Sequence, residues 1–434
     1  MNLEKLKLLF RNHGCDEVYI KTLSANDNSK NQVYLGGSFE ILNVFPISKI
    51  ETSEAGDWKR ERFKASLNFS WFTDEGNVST APYSQLILYP KYPEVRFSGF
   101  LKGSPTAPSE LMTQRTADRL LFLSANKEGK IYGYVAAPNS EISQEYNAIK
   151  GLEEHGVFSI IELPHAVNGR SLLLDELTRI HREGWIGSKS LTKDGLVPCK
   201  SSQCGGYTLE AELGIVRNGF SEPDFKGWEV KSFGVRDFSK LQSSVITLFT
   251  PEPTGGLYKE NGVEYFIRNY GYLDKMGRPD RMNFGGIHKA QKIHPTTGLE
   301  LRLIGFDQES GKIRNASGRI ALMDNEENEA ANWSFSSMLL HWNRKHDKAC
   351  YVPSLSDTKG DRKYKYGNEV ILGTGTDFQL FLSQMALGNI YYDPGIKMES
   401  MSSSKPKFKK RSQFRIKSGF LLNLYKVNEK IMLP

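Results

Sequence analysis

Cysteine is scarce in this chain. Four residues, Cys15, Cys199, Cys204 and Cys350, are scattered over 434 positions, which excludes the dense disulfide framework of small secreted domains. Long apolar runs are missing as well. No stretch approaches the roughly 18 apolar residues of a membrane-spanning helix, and the opening MNLEKLKLLFRNHG has no apolar core of signal-peptide length. A soluble, cytoplasmic protein with reduced thiols and no membrane association is the expectation. Cys199 and Cys204 stand in C-x4-C spacing, half of a zinc site, yet no second pair or suitably spaced histidines accompany them. Two free thiols in a loop are therefore expected. A strong excess of one charge is also absent. The net charge of +7 and pI near 8.9 tilt only mildly towards a polyanionic partner.

What is present is an ordinary globular composition, 39% apolar and 25% charged, in a chain too long for one comfortable core. Two domains are the default. Residues 1–165 read as strand after strand: VYIKTL, ASLNFSWF, SQLILY, EVRFSGFL and KIYGYVAA cluster β-formers between Gly, Pro, Asn and Asp. Short helices are expected at 3–11, 109–121 and 140–154, around a small, mostly β barrel or sandwich. PHAVNGR (164–170) marks a boundary. From there SLLLDELTRIHREGW has helical spacing at Leu173, Leu174, Leu177 and Ile180. The second domain, 170–434, alternates helices (from Tyr207, 334–345, 376–386) with strands (228–233, 244–250, 299–306, 319–323, 349–352). That is an α+β pattern with a central mixed sheet. MSSSKPKFKKRSQ (401–413) is the one biased stretch, read as a solvated loop before strand-like FRIKSGFLLNLYKV.

The segment SEPDFKGWEVKSF (221–233) carries the chemistry. In a strand, Glu229 and Lys231 share one face. Asp224 lies upstream, across a Lys226–Gly227 turn that can bring its carboxylate beside that of Glu229. Two adjacent carboxylates repel unless a cation joins them, and Mg²⁺ accepts one or two carboxylates plus waters. Lys231 would then orient water and stabilise charge on a phosphate. As a bare pattern, D-x4-E-x-K also describes a solvated strand edge with an ion pair.

The surroundings narrow the choice. TLEAELGIVRNGFSEPDFKGWEVKSF followed by SSVITLFTPEPTG resembles the catalytic core of the MvaI/BcnI restriction endonucleases, monomeric members of the PD-(D/E)XK nuclease superfamily. The resemblance continues, collinear, through GW (184–185), IRNYG (267–271), NWSFSSM (332–338) and YYDPGI…FRI (391–416). It implies a catalytic trio of Asp224, Glu229 and Lys231 with Glu210 as fourth acidic member, and Mg²⁺ held by Asp224 and Glu229. It also implies DNA contacts from Asp393, Lys409, Lys410, Arg411 and Arg415. Two departures concern base reading. Pro394 and Gly395 follow Asp393 where the family has an arginine, and Phe408, Lys409, Lys410 and Arg411 replace the histidines before FRI.

The amino-terminal part resembles the effector domain of EcoRII, a B3-like DNA-binding pseudobarrel, through VYIKTLSANDNSKNQV (18–33), LKGSPTAP (101–108) and KIYGYVAAPNSE (130–141). Lys21, Ser24, Asn26 and Lys30 are the effector-DNA candidates this implies. Thr22 replaces the pattern's arginine, and its basic run is thinned to Lys91, Arg96 and Lys102.

The reading is thus a prokaryotic, cytoplasmic type II endonuclease cutting double-stranded DNA. The resemblance implies a monomer acting by sequential nicking at a CC-x-GG-like site, with a second DNA copy on the first domain. A strand-nicking repair nuclease and a non-catalytic DNA-binding protein are the alternatives. HWNRKH (341–346) superficially matches an HNH nuclease but lies beside Met338, Leu339 and Trp342, so core-flanking histidines are expected. GTGTD (373–377) lacks the G-K-[ST] of a phosphate loop, and Thr376 or Asp377 more simply caps the next helix.

Overall fold

The computed structural model describes residues 1–25, 31–55, 60–90, 94–114, 116–163, 169–201, 203–217 and 224–434. The chain forms two compact units, 1–167 and 168–434. Among the described residues no helix is long and apolar enough to cross a membrane.

The first unit is built on two sheets. A seven-stranded sheet runs in the order Glu153–His155, Phe158–Glu162, Glu17–Leu23, Arg119–Ala125, Ile131–Ala136, Phe69–Phe72, Val78–Thr80. All neighbours are antiparallel except Ile131–Ala136 against Phe69–Phe72. The second sheet has five antiparallel strands. Among the described residues no strand pairing closes the two into one barrel. Trp71 is fully buried and satisfies its indole by donating to the Phe100 carbonyl at 2.7 Å. Arg119, also buried, donates to the carbonyls of Leu111, Thr116 and Ser24, so a cation replaces the backbone partners that these turns lack.

Two helices here are shorter than expected. The helix Ser109–Thr113 stops where Gln114 turns extended. RLLFLSA becomes a strand buried on both faces, because a continuous apolar run fits either element. Likewise Glu141–Ala148 ends at extended Ile149, and Glu153–His155 joins the sheet.

In the second unit a six-stranded mixed sheet is central: Ile186–Gly187, Lys363–Tyr366, Lys348–Asp357, Glu369–Thr374 and Val427–Met432, with Glu229–Gly234 parallel to Lys348–Asp357. Val230, Cys350, Val352, Val370 and Leu372 pack against Leu173, Leu177 and Ile180 of the helix Gly169–Glu183, which fixes one face of the sheet. The helix Phe335–His346 starts at Ser334, whose hydroxyl accepts from the Ser337 amide. Trp342 is buried, donates to the Thr376 hydroxyl at 3.0 Å and stacks on His346, 4.2 Å between ring centroids. Asp377 caps the helix Phe378–Ala386 by accepting from the Gln379 amide at 2.8 Å.

Other expectations change. The helices Leu257–Glu260 and Gly262–Tyr270 have no counterpart in the sequence reading, because Gly256 and Gly262 at φ +75° and +85° break the periodicity. The 401–413 stretch is not only loop: Lys407–Lys409 pairs with Gly395–Glu399. Beyond the strand Phe414–Lys417, residues Ser418–Leu424 form a 3-10 helix. The reduced-thiol expectation fails at Cys199 and Cys204, which form a disulfide. The turn that brings the Cys204 amide to the Ser201 carbonyl folds Cys199 back onto the first turn of the helix Cys204–Glu212. Cys15 and Cys350 are free and buried.

Candidate active site

The local chain path explains how Asp224 and Glu229 meet. Lys226 and Gly227 both have positive φ, 47° and 85°. Phe225 and Trp228 exchange backbone hydrogen bonds at 2.9 and 2.8 Å. This is a two-residue hairpin turn of the primed kind. Its reversal returns Asp224 to the start of the next strand, where its carboxylate accepts from the Val230 amide at 3.2 Å. A Cβ at position 227 would meet nothing within 4 Å, so only the backbone angle demands glycine. Gly227→Ala is accordingly expected to cost about 1 kcal/mol, read as a lower denaturant midpoint with unchanged slope.

Strand alternation sends Val230 into the core and leaves Glu229 and Lys231 on the opposite face. That face forms the floor of a cleft of about 920 Å³. Glu229 is only 1% exposed. One carboxylate oxygen, Oε1, accepts from Lys231 Nζ at 2.7 Å and lies 3.4 Å from Lys345 Nζ. Its other oxygen, Oε2, is buried and receives no hydrogen bond from an N–H group, while the Asp224 carboxyl lies within hydrogen-bonding reach of Glu229. Burial, and then the facing Glu229 carboxylate, push the Asp224 carboxyl up to about 7, while Lys231 and Lys345 pull it back. Glu210 comes from the helix Cys204–Glu212 and lines the same cleft. Burial and Glu229 raise its carboxyl too. Tyr366 holds that helix by donating to the Gly205 carbonyl at 2.7 Å.

Among the described residues no three metal-ligating side chains gather in one group. Two adjacent carboxylates, one of them buried, nevertheless suit Mg²⁺, which keeps most of its ligands as water. Zinc takes at least three protein ligands even at catalytic sites, more than this pair offers.

The sequence reading missed Lys345. It sits on the helix Phe335–His346, one turn beyond His341, which also lines the cleft. The only signal was its place beside the buried face formed by Met338, Leu339, Trp342 and His346. His346 itself is fully buried, Nε2 3.2 Å from the Leu248 carbonyl, and burial followed by the two lysines keeps it neutral.

The other candidate residues fall in separate places. Asp393 and Arg415 form an ion pair at 2.6 Å. Arg415 is cross-strand from both Thr247, a cleft residue, and Tyr391. Lys409, Lys410 and Arg411 are exposed just before that strand. In the first unit the Lys21 ammonium lies 5.8 Å from the centre of the Tyr34 ring, and burial lowers its pKa. Ser24 is exposed, with its carbonyl taken by Arg119. Asn26 and Lys30 lie outside the described residues.

Glu229 is thus a buried carboxylate bracketed by two lysines, with the carboxyls of Asp224 and Glu210 lining the same cleft. The family model for the MvaI/BcnI restriction endonuclease family matches residues 174–425. The chain belongs to that family. No curated protein sequence matches it. Among solved structures it is similar to the restriction endonuclease MvaI in complex with cognate DNA, at 22% identity over 62% of this chain and 99% of that chain, with a TM-score of 0.45. MvaI in the absence of DNA matches at 22% identity over 61% and 98%, TM-score 0.35. The first unit's part of the chain finds the B3 domain of UbaLAI restriction endonuclease with cognate DNA, at 17% identity over 36% of this chain and 96% of that one, TM-score 0.23.

Proposed function

We propose that the protein is a type II restriction endonuclease that hydrolyses phosphodiesters of double-stranded DNA at a specific site with Mg²⁺. One observation carries the reading. The Glu229 carboxylate is buried at the cleft floor, beside a second carboxyl and two lysines. Asp224 and Glu229 would hold the ion, which when bound supplies Lewis-acid stabilisation of the charge that builds on the phosphate. Lys231 donates to orient the attacking water and offsets developing negative charge. Glu210, with its raised carboxyl, is the third acidic group and would accept a proton from that water. Lys345 adds a second fixed cation on the Glu229 side.

Because the lysines compete with a cation for Glu229, Lys345→Ala is expected to slow single-turnover cleavage by about tenfold to a hundredfold. The same variant should lower the Mg²⁺ concentration for half-maximal rate. A slower enzyme with an unchanged Mg²⁺ requirement would deny Lys345 this place.

A single centre in one chain cuts one strand at a time. The proposed course is therefore a monomer that nicks, reverses and nicks again at a CC-x-GG-like sequence. The first unit, as a B3-like pseudobarrel, would hold a second copy of that sequence through Lys21, Ser24, Asn26 and Lys30. The test is digestion of plasmids of known sequence with Mg²⁺, with and without an oligonucleotide carrying the site. Discrete fragments that pass through an open-circular intermediate, formed faster with the oligonucleotide, support the reading. Single-strand nicks without fragments would favour a repair nuclease.

A further inference from the structure

Away from the cleft, the second unit carries a four-stranded antiparallel sheet, in the order Tyr272–Leu273, Arg281–Gly285, Gly395–Glu399, Lys407–Lys409. Residues directly opposite one another share a face. Phe284, Ile396 and Met398 fill one face and are buried. The other face aligns Arg281 with Glu399 and Lys407, and Asn283 with Lys397 and Lys409. Lysines directly opposite each other destabilise a sheet. Here Lys397 faces Lys409 and also feels the charges of Arg278, Arg281 and Arg411. The nearby carboxylates do not answer this charge. Asp274 is engaged by the Met276 and Arg278 amides, by Asn283 and by Arg281, and Glu399 also lies near Arg281, at 3.6 Å. Among the described residues Arg278, Lys397, Lys409 and Arg411 pair with no carboxylate.

The same strand pair leads back to the cleft. Gly395 donates its amide to the Arg411 carbonyl and Asp393 donates to that of Gln413, so the two chains stay bonded up to Arg415, beside Thr247 on the cleft wall. From Arg415 to Lys409 is about 20 Å of extended chain, on the order of six base-pair steps of a duplex.

We propose that this sheet face, with Lys397 at its centre, is a track for the phosphate backbone of duplex DNA leaving the cleft. The proposal rests on the nuclease reading and extends it from the cleavage centre to the flank. Ammonium groups are point charges that position a backbone and carry no base code. Loss of one should therefore weaken all sequences alike.

The test is duplex binding by fluorescence anisotropy, with Ca²⁺ replacing Mg²⁺, over a range of KCl concentrations. Site-bearing and scrambled duplexes that extend well past the cleft are compared. Lys397→Ala is expected to bind both several-fold more weakly at low salt, and to flatten the slope of log affinity against log salt by about 1. Lys397→Arg should restore the slope, which a damaged fold would not allow. An unchanged slope in Lys397→Ala, or a loss confined to the site-bearing duplex, overturns the track while leaving the nuclease reading intact. A wild-type protein that binds no duplex at any salt overturns both.

Discussion

Replacing Lys231 by alanine is expected to lower single-turnover cleavage of supercoiled plasmid by about two to three orders of magnitude, the size of effect seen when one preorganised donor is removed from a reacting centre. Duplex affinity in Ca²⁺ should stay close to that of the wild type, because phosphate contacts spread over many cations dominate binding. The reason lies in the strand. Glu229 and Lys231 are held on one face by backbone alternation, with Nζ 2.7 Å from the buried carboxylate. Lys345 approaches the same oxygen from a helix at 3.4 Å, and it keeps Glu229 from becoming an uncompensated buried charge when Lys231 is lost. The variant should therefore fold and bind but hardly cut. Retained cleavage with retained binding would put the chemistry elsewhere and revive a regulator without catalysis.

The second large effect concerns Asp224. Its carboxyl sits at about 7 against an ordinary 3.8, raised by burial and then by Glu229. Between these values the metal-free folded protein holds a proton that the unfolded chain has released. Folded stability therefore falls as pH rises through this window and levels off above about 7. Asp224→Asn removes the repelling charge while keeping the shape. At pH 8 without metal the variant is expected to be more stable than the wild type by about 2 kcal/mol, the full linkage value being reduced by partial exposure. Near pH 4 the advantage should vanish. Mg²⁺ should raise the melting temperature of the wild type and not of the variant, and the variant should not cleave. For the wild type below about pH 7, cation binding displaces that proton, so apparent Mg²⁺ affinity should weaken as pH falls. Equal melting temperatures for the two proteins at pH 8 would remove the repulsion on which the cation site depends.

Much of this centre was legible in the sequence because its parts are close in the chain. Asp224, the Lys226–Gly227 turn and the alternation of Glu229 with Lys231 follow from local rules of turn and strand. Glu210 required the family resemblance, since a helical glutamate carries no sign of what it faces. Lys345 was invisible: it reaches Glu229 only because the helix before Lys348–Asp357 packs over a strand that pairs in parallel with it. Parallel pairing joins segments far apart in sequence, and no local pattern announces the partner. The opposition of Lys397 and Lys409 was hidden in the same way. The bias at 401–413 showed charge but not the register that turns charge into a face. Helix lengths at 109–121 and 140–154 failed where apolar runs fit both periods and tertiary pairing decided. The disulfide joins two cysteines five residues apart, a spacing that does not by itself distinguish a bridge from free thiols.

Anomalous scattering from crystals grown with Mn²⁺ in place of Mg²⁺ tests the cation site most directly. A single strong peak between the carboxylates of Asp224 and Glu229, lost in Asp224→Asn, is the expected result. No peak there, or a peak held by other residues while the wild type cleaves DNA, would contradict it.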